Sequence, residues 1–529
     1  MTRKFPLKTC FLFAGFAFLP SVSAQQVDEE QAPVEEQDER SINIGDEAVY
    51  GDAAGMPEVD LDAELLDITD SALDASSPES LDNTAALSEE EQENLDRDEL
   101  IRSFELYKSS IENGMYDEAD TLAKRIVELS IKLYGINSHD SAKALTNLGI
   151  VQYHNKDFES AQLNYQAAID IVERIEDRLH SGLMNPLKGL GAAQLSAGRP
   201  DLAKETFDRA VHVSHVNEGP HNLLQVEMLD ALTETYLAIG DTKDAMDVQE
   251  NAFNLQLRNI DPNSEEALPA LQRQASWFHR MQHYNSERTA YRKIIRILES
   301  SRGKEDISLI RPLTGLGKSY LFVEPYDPEF QTYTPASGGE IYLKRALRIA
   351  EESPESDWLL MSSSMLALGD FYTLSGRASR ARRTYGEAWE FLSSDEERLA
   401  RRKDELESPI VLQDISPTVY YNSTRQDFGN TVPENFVQGT IVVGYTIDTY
   451  GQATNIAIVE ARPPGLVDME YEVTRSVRDL IHRPRYKDGE IIEIDDATYT
   501  HEFFYRPTDL PDDSADPTLA GSAASGSGR

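Results

Sequence analysis

The sequence is poor in cysteine, in positive charge and in long apolar runs. Among 529 residues there is one cysteine, Cys10, which excludes an intrachain disulfide, a CxxC redox pair and a cysteine-rich zinc site. Lysine and arginine number 50 against 93 aspartates and glutamates, for a net charge of −43. General nucleic-acid binding is excluded, because it needs clustered positive charge to neutralise phosphates. The hydrophobic content of 40% excludes a multi-span membrane protein, and the length predicts two to four domains.

Residues 1–24 have the layout of a secretory signal peptide. Three basic residues precede an apolar stretch at 11–19, and small residues follow at 21–24. The apolar stretch is about half as long as a membrane span requires. We therefore expect cleavage after Ala24, a periplasmic mature chain and no membrane span after cleavage. The alternative is an uncleaved segment that anchors the chain in the membrane.

Two further segments are predicted to be disordered. Residues 25–95 are acidic and poor in aromatic side chains, and Arg40 is the only basic residue among them. Such a composition buries too little apolar surface to offset the entropy of the chain. The tail at 508–529 is rich first in Asp and Pro and then in Gly, Ala and Ser, which predicts a flexible end.

The middle of the chain repeats with a period of 42 residues. Alanines recur at 119, 161, 203 and 245. Four positions later lie Ala123, Tyr165, Phe207 and Gln249, and seven positions later lie Ile126, Ala168, Ala210 and Ala252. Small residues let two helices approach closely while aromatic side chains fill the adjacent space. The pattern predicts stacked pairs of antiparallel helices over residues 96–400.

This pattern resembles the tetratricopeptide repeat (TPR). The resemblance is carried by Leu148-Gly149 with Ala161, Tyr165 and Ala168, and by a shifted copy around Gly369 and Tyr385. It covers about seven repeats, one of them interrupted by an insertion at 323–339. It implies an α-solenoid whose concave groove binds peptides or proteins. Candidate groove residues are Tyr153, Tyr236, Phe278, Tyr320 and Tyr372, with packing between repeats as the alternative role for each.

After a predicted linker at 401–431, the pattern changes to β-β-α-β. Residues 440–448 and 453–460 alternate as strands around a turn that ends at Gly451, residues 469–481 have helical spacing, and residues 497–505 form a last aromatic strand. The sequence thus predicts a multidomain protein that combines an α-solenoid with a small two-layer α/β domain.

Residues 432–507 resemble the C-terminal domain of TonB-family energy transducers. The matching residues are Gly439, Ile441, Val443, Tyr445, Ile447, Asp448, Gly451, Asn455, Pro463, Pro464, Gly465, Arg483, Pro484, Asp488 and Gly489. The resemblance implies docking by strand addition at a sheet edge, with TonB-dependent outer-membrane receptors as partners. Candidate binding residues on the last strand are Tyr499, His501, Phe503 and Tyr505.

Motifs for catalysis or cofactor binding are incomplete. The stretch at 315–319 ends like a phosphate loop, but Pro312 occupies the position of its first glycine. His279 and His283 are four residues apart without the glutamate of an HExxH site. Four arginines between 377 and 383 form a basic patch, either a solvated face or a docking site for the acidic N-terminal segment. We expect no metal, no cofactor and no enzyme activity.

The resulting hypothesis is a non-enzymatic periplasmic scaffold or adaptor. Its expected partners are other envelope proteins or peptides, among them TonB-dependent outer-membrane receptors, and not nucleic acid. One alternative is a membrane-anchored TonB-type energy transducer, which membrane fractionation would distinguish. A second is a secreted hydrolase of unrecognised type, which an activity screen would reveal.

Overall fold

The computed structural model describes residues 66, 68, 89–322, 337–413, 417, 419–422 and 435–510. The predicted signal peptide, most of the acidic segment, most of the insertion and nearly all of the tail lie outside these residues. The described residues divide into two compact units, an N-terminal unit that extends to Lys293 and a C-terminal unit that begins at Ile294.

The N-terminal unit consists of helices that follow one another in pairs. Their bounds are α1 Glu89–Glu112, α2 Tyr116–Tyr134, α3 His139–His154, α4 Phe158–Ile175, α5 Met184–Ser196, α6 Pro200–Glu218, α7 Gln225–Ile239, α8 Thr242–Gln256, α9 Leu268–Arg280 and α10 Tyr284–Ser301, the last of which crosses the unit boundary. Helix α1 begins six residues before the predicted end of the acidic segment, so the prediction of disorder is wrong for 89–95.

Local sequence explains where these helices start and stop. The side chains of Ser138, Asp157 and Asp241 accept hydrogen bonds from backbone N–H groups at the starts of α3, α4 and α8. Gly240 ends α7 in the left-handed conformation, at φ 91°, which only glycine adopts without cost. Short turns between paired helices therefore make each pair antiparallel.

The predicted contact of small residues with aromatic rings forms the core of this unit. A Cβ atom added to Gly189 would lie 2.3 Å from Cζ of Tyr165, and one added to Gly191 would lie 2.7 Å from Cζ of Phe207. Both rings are fully buried. These glycines of α5 are thus packing residues, as the repeat register predicts, and do not form a dinucleotide-binding loop.

Ala161 tests this packing. Its side chain is fully buried in the same cluster as Tyr165 and Leu190, so Ala161→Leu should overpack the helix crossing and lower the free energy of unfolding by about 1–3 kcal/mol. Urea denaturation of the variant beside Leu163→Ala, whose side chain is exposed, would measure the loss. Equal stability of the two variants would contradict the repeat register.

The C-terminal unit continues the helical pairs and adds a small sheet domain. After the end of α10, its helices are α11 Ile310–Ser319, α12 Ser337–Glu352, α13 Trp358–Leu374, α14 Ala378–Leu392 and α15 Glu396–Arg402, and a π-helical segment, Lys403–Glu407, follows α15. Gly369 of α13 packs on the buried Tyr385 ring of α14, where an added Cβ atom would lie 2.4 Å from Cε1. The same small-on-aromatic contact therefore recurs in both units.

The sheet domain has a three-stranded antiparallel sheet in the order β3-β2-β7. Its elements are β1 Val411–Gln413, β2 Val437–Ile447, β3 Ala453–Arg462, α16 Val467–Arg478, β4 Ile481–His482, β5 Tyr486–Lys487, β6 Glu490–Ile491 and β7 Ile494–Tyr505. Ile441, Val443 and Ile447 alternate toward a core that α16 covers with Met469 and Val473.

The predicted β-β-α-β order is present, with three differences in detail. Helix α16 ends at Arg478 because the following residues pair as β4 with β1, whereas the helical spacing predicted 469–481. The predicted linker contains the end of α15, the π-helical segment and β1, so much of its first part belongs to folded structure. Strand β7 begins at Ile494, three residues before the predicted start, because Ile494 pairs with Ile447.

Candidate protein-binding surfaces

Three of the predicted groove aromatics belong to the N-terminal unit, where each is half-buried. Tyr153 of α3 shares a hydrogen bond of 3.0 Å with Ser196 Oγ. Tyr236 of α7 lies under the Lys204 ammonium, at 5.6 Å from Nζ to the ring centroid. Phe278 lies near the end of α9. Their role in binding stays a prediction.

The other two predicted groove aromatics belong to the C-terminal unit. Tyr320 follows α11 and stacks on Tyr342 with ring centroids 5.9 Å apart. Tyr372 of α13 is almost fully buried, and its hydroxyl donates a 3.0 Å hydrogen bond to Glu340. Tyr372 therefore packs between helices, and a binding role for either residue stays a prediction.

The four candidates on β7 lie on the face of the sheet that carries the domain core. Phe503 is fully buried and His501 is 7% exposed, while Tyr499 and Tyr505 pack at the margin of the core. A partner that adds a strand would form hydrogen bonds with the backbone of β7 and not with these side chains. The bond from Phe504 N–H to Val419 O, 2.7 Å, already occupies part of that edge.

Asn147, which the sequence analysis missed, holds the backbone of a distant segment. The Leu66 N–H donates to Asn147 Oδ1 at 3.0 Å, and Asn147 Nδ2 donates to Leu66 O at 2.9 Å. Ile68 is fully buried in a cluster with side chains of α1, α2 and α3. The sequence offered one signal for this contact, since Asn147 is a polar residue two positions before Gly149 of the repeat pattern.

Asp230 is the centre of a buried polar cluster in the N-terminal unit. Only 1% of its side chain is exposed. It accepts hydrogen bonds from Gln249 Nε2 at 2.8 Å and Trp277 Nε1 at 3.1 Å, and it pairs with the Arg273 guanidinium. The cluster connects helices α7, α8 and α9, so a charge at this position joins two adjacent repeats.

Arg483 joins the sheet domain to the last pair of long helices within the C-terminal unit. Its guanidinium donates from Nε and Nη2 to the two oxygens of Asp370, both at 2.8 Å, and from Nη1 to the Glu405 carbonyl at 3.0 Å. Tyr385 also donates to Asp370, at 2.7 Å. Burial raises the pKa of the Tyr385 hydroxyl well above its usual value, so this phenol stays a donor.

Aromatic stacking extends the same contact. The rings of Trp389 and Tyr486 stack with centroids 5.5 Å apart, and the Tyr486 hydroxyl donates to the Arg382 carbonyl at 3.0 Å. Burial raises the pKa of Tyr486 to about 12. The sheet domain is therefore attached to α13 and α14 by a buried ion pair and by stacked rings.

Two arginines of the predicted basic patch bind a glutamate of the chain itself. Arg377 and Arg380 both pair with Glu340, together with Lys344. Burial raises the pKa of Glu340, but hydrogen bonds from Lys344 and Tyr372 outweigh it and bring that pKa to about 2. This part of the patch is thus occupied within the C-terminal unit.

His482 makes the stability of the sheet domain sensitive to pH. The residue is 1% exposed, and burial lowers its pKa to about 4 from 6.5. As pH falls from about 6.5 towards about 4, the unfolded chain takes up a proton that the folded domain does not. Stability is therefore lost in this window, by about 2 kcal/mol between pH 7 and pH 5.

Urea denaturation at pH 7 and pH 5, for the parent chain and for His482→Gln, would check this. The variant should lack the parent's extra loss of stability at pH 5, since the titrations of all other groups are common to both proteins. An equal pH dependence in the two proteins would contradict the assignment to His482.

One member of the histidine pair, His279, contacts a buried glutamate. His279 Nδ1 lies 3.2 Å from Glu287 Oε2 on α10. Within the described ranges, no group of three or more His, Cys, Asp or Glu side chains could hold a metal ion. Across the same ranges, no helix has the length and apolarity that a membrane span requires.

Comparison with known proteins identifies the repeats. Residues 110–174 match the model of the tetratricopeptide repeat. Within this range the chain matches the tetratricopeptide repeat. The match confirms the repeat prediction for residues 110–174, and the helices of the structure confirm the prediction of paired helices. The TonB-like assignment of the sheet domain stays a prediction. No curated protein matches the chain.

Solved structures of two proteins show a distant likeness to this chain. A putative kinesin light chain from Podosopora anserina, described as having nearly identical TPR-like repeats, is 15% identical over 38% of this chain and 96% of its own, with a TM-score of 0.35. A variant of that protein with one substitution gives the same values. BtubC (BKLC) from P. vanneervenii is 14% identical over 52% of this chain and 90% of its own, with a TM-score of 0.30.

Proposed function

We propose that this protein is a non-enzymatic periplasmic adaptor that binds other envelope proteins through its repeats and its sheet domain. The tetratricopeptide repeats support the interaction role, because stacked helix pairs present extended surfaces to polypeptides. The segment at 1–24, with the layout of a signal peptide, supports export. The TonB-like pattern of the sheet domain supports a link to TonB-dependent outer-membrane transport.

The observation that carries the docking role is the outer edge of β3. The order β3-β2-β7 puts β3 at one end of the sheet, and no described strand pairs with its outer side. Ile458 and Val459 on this strand are 39% and 68% exposed. An edge of this kind offers backbone N–H and C=O groups that an extended peptide can pair with.

A β-bulge marks where the regular edge ends. Val442 faces Glu460 and Val443 faces Ile458, so Val459 is an additional residue on β3. Bulges bend a strand and limit pairing with unintended partners. The bulge therefore favours a short extended segment, held next to Ile458 and Val459. The TonB-like pattern of the domain supports an outer-membrane receptor as the protein that supplies it.

An edge variant tests the docking role in the full chain. Cells expressing tagged parent, Val459→Asp or Leu163→Asp would be crosslinked, and the captured envelope proteins identified by mass spectrometry. Val459→Asp should lower recovery of outer-membrane receptors about tenfold, as expected for about 1.4 kcal/mol of lost binding. Leu163→Asp changes an exposed leucine of α4 and should retain the parental partners; equal receptor recovery with both variants would refute docking at β3.

Export is tested separately, by the N-terminal sequence of the mature protein. A start at Gln25 in a periplasmic fraction is expected. Recovery of the intact N-terminus in the membrane fraction would refute cleavage and favour the anchored transducer.

A further inference from the structure

We propose that a cavity between α14 and the turn that joins β2 to β3 binds a small organic carboxylate, with Arg382 as its counter-charge. The cavity lies within the C-terminal unit and has a volume of about 220 Å³. We call it the Arg382 cavity. The inference goes beyond the proposed function, because it assigns a ligand to residues that the docking proposal does not use.

Arg382 is the arginine of the basic patch that has no acidic partner among the described residues. The other three arginines pair with Glu340 or with Glu387. The Arg382 side chain is exposed and lines the cavity. A guanidinium presents paired N–H donors in one plane, which match the two oxygens of a carboxylate. The charge of Arg382 is therefore available to a ligand of this kind.

The lining of the cavity carries no negative charge. None of the ten described residues that line it is an aspartate or a glutamate, although the chain has 93 of them among 529 residues. One guanidinium without a competing acid suits a ligand with a single negative charge. A phosphate monoester carries about 1.5 to 2 charges at pH 7, so the single cation favours a carboxylate over a phosphate.

The rest of the lining combines hydrogen-bonding groups with apolar surface. The side chains of Thr449, Tyr450 and Gln452 come from the β2–β3 turn, whereas Pro484 and Ile491 are apolar. Apolar walls with a few polar groups are typical of sites for small ligands, and those for drug-sized molecules have volumes of about 300–1,000 Å³. The smaller volume found here predicts a carboxylate on a short apolar body.

Hydrogen bonds hold both walls of the cavity in place. Within the β2–β3 turn, Asp448 Oδ1 accepts from two backbone N–H groups, at 2.8 and 2.9 Å, and the Gly451 carbonyl accepts from the His482 N–H at 2.7 Å. On the other wall, the Tyr486 hydroxyl donates to the Arg382 carbonyl at 3.0 Å. A site that is already ordered loses little freedom when it binds a small ligand. Because the ligand contacts both walls, its binding also stabilises the attachment of the sheet domain to α14.

Fluorine NMR of the full chain tests the site, with 4-fluorobenzoate as the probe and line broadening as the measure of affinity. Arg382→Gln should weaken binding at least about tenfold, because it removes a hydrogen bond between charged groups. Arg383→Gln is the matched control, since it removes the same charge from an exposed side chain outside the lining; its affinity should stay within about twofold of the parent in physiological salt. The uncharged 4-fluorobenzamide should bind the parent at least about tenfold more weakly than the benzoate.

Three results would overturn the proposal: equal weakening by the two substitutions, equal affinity for the benzoate and the benzamide, or no binding of the benzoate by the parent at millimolar concentrations. A competitor identifies the source of the carboxylate. Displacement of the probe by acetyl-trialanine would assign the cavity to the carboxyl end of a polypeptide, and failure to displace it would assign the cavity to a free acid.

Hydrogen exchange locates the binding without a substitution. At ten times its dissociation constant, 4-fluorobenzoate should slow exchange of the Tyr450 and Gln452 amides by about tenfold in the parent and should leave it unchanged in Arg382→Gln. Unchanged exchange at both amides of the parent would place the bound probe elsewhere and overturn the assignment.

Discussion

Replacing Arg483 with methionine should lower the free energy of unfolding of the C-terminal unit by about 3–5 kcal/mol. The guanidinium is 8% exposed and bridges Asp370 and Glu405, whose side chains are 11% and 27% exposed. Without it, Asp370 keeps a buried negative charge with no guanidinium beside it. Charges left in this state cost more than the original pair contributed, because desolvation is no longer offset.

Urea denaturation followed by tryptophan fluorescence would measure the loss, since Trp389 stacks on Tyr486 in the same contact. Arg478→Met, at the exposed end of α16, is the matched control and should remain within about 0.5 kcal/mol of the parent. The double variant Asp370→Leu with Arg483→Met should recover part of the loss, because it removes both charges. A single variant as stable as the Arg478→Met control would show that the ion pair does not hold the sheet domain in place.

The repeat architecture could be predicted because its determinants are local and periodic. Gly189 and Tyr165 lie in neighbouring helices, and the same contact returns in Gly369 and Tyr385. A contact that recurs along the chain leaves a period in the sequence, and the period specifies which helix packs on which. The strands β2, β3 and β7 were predictable for a similar reason, since alternation is a local pattern.

The attachment of the sheet domain could not be predicted in this way. Arg483 and Asp370 are 113 residues apart. Asp370 lies in α13 and Arg483 directly follows β4, and their contact does not repeat along the chain. No period connects them, and the helical spacing of 469–481 concealed the strand β4 that leads to Arg483. Part of the predicted linker is folded because β1, which lies within it, pairs with β4. This pairing is also non-local and does not repeat.

The candidate binding residues show that binding sites are also difficult to predict from the sequence. Aromatic side chains near the groove and on the last strand are candidates from the sequence, yet Tyr372 and Phe503 are buried, since large apolar groups serve packing first. Asn147 holds the backbone of Leu66, a residue 81 positions away. From the sequence alone, an asparagine that binds a distant backbone cannot be distinguished from one that only stabilises its own helix.

Asp230→Ala should lower the free energy of unfolding of the N-terminal unit by about 2–4 kcal/mol. Two neutral donors, Gln249 Nε2 and Trp277 Nε1, lose their shared acceptor in a buried place. Arg273 loses its counter-charge, but its side chain is 36% exposed and can turn to water, which keeps the loss below that of a fully buried pair. Gln249 retains its 2.8 Å bond to Thr233 Oγ1, so the penalty falls mainly on the indole and the guanidinium.

Asp208→Ala is the matched control, because Asp208 pairs with Lys204 at 2.9 Å while half of its side chain is exposed. Such a surface pair contributes little, and its removal should change stability by less than about 1 kcal/mol. Asp230→Asn keeps an acceptor for Trp277 and should lie between the two. Urea denaturation followed by far-ultraviolet circular dichroism measures all three variants, and equal stability of Asp230→Ala and Asp208→Ala would show that the cluster does not join α7 to α9. If Asp230→Ala loses the most stability, Asp230→Asn less and Asp208→Ala the least, then one carboxylate stabilises the packing of two neighbouring repeats. The 42-residue period predicts which helices are neighbours but does not reveal this contact.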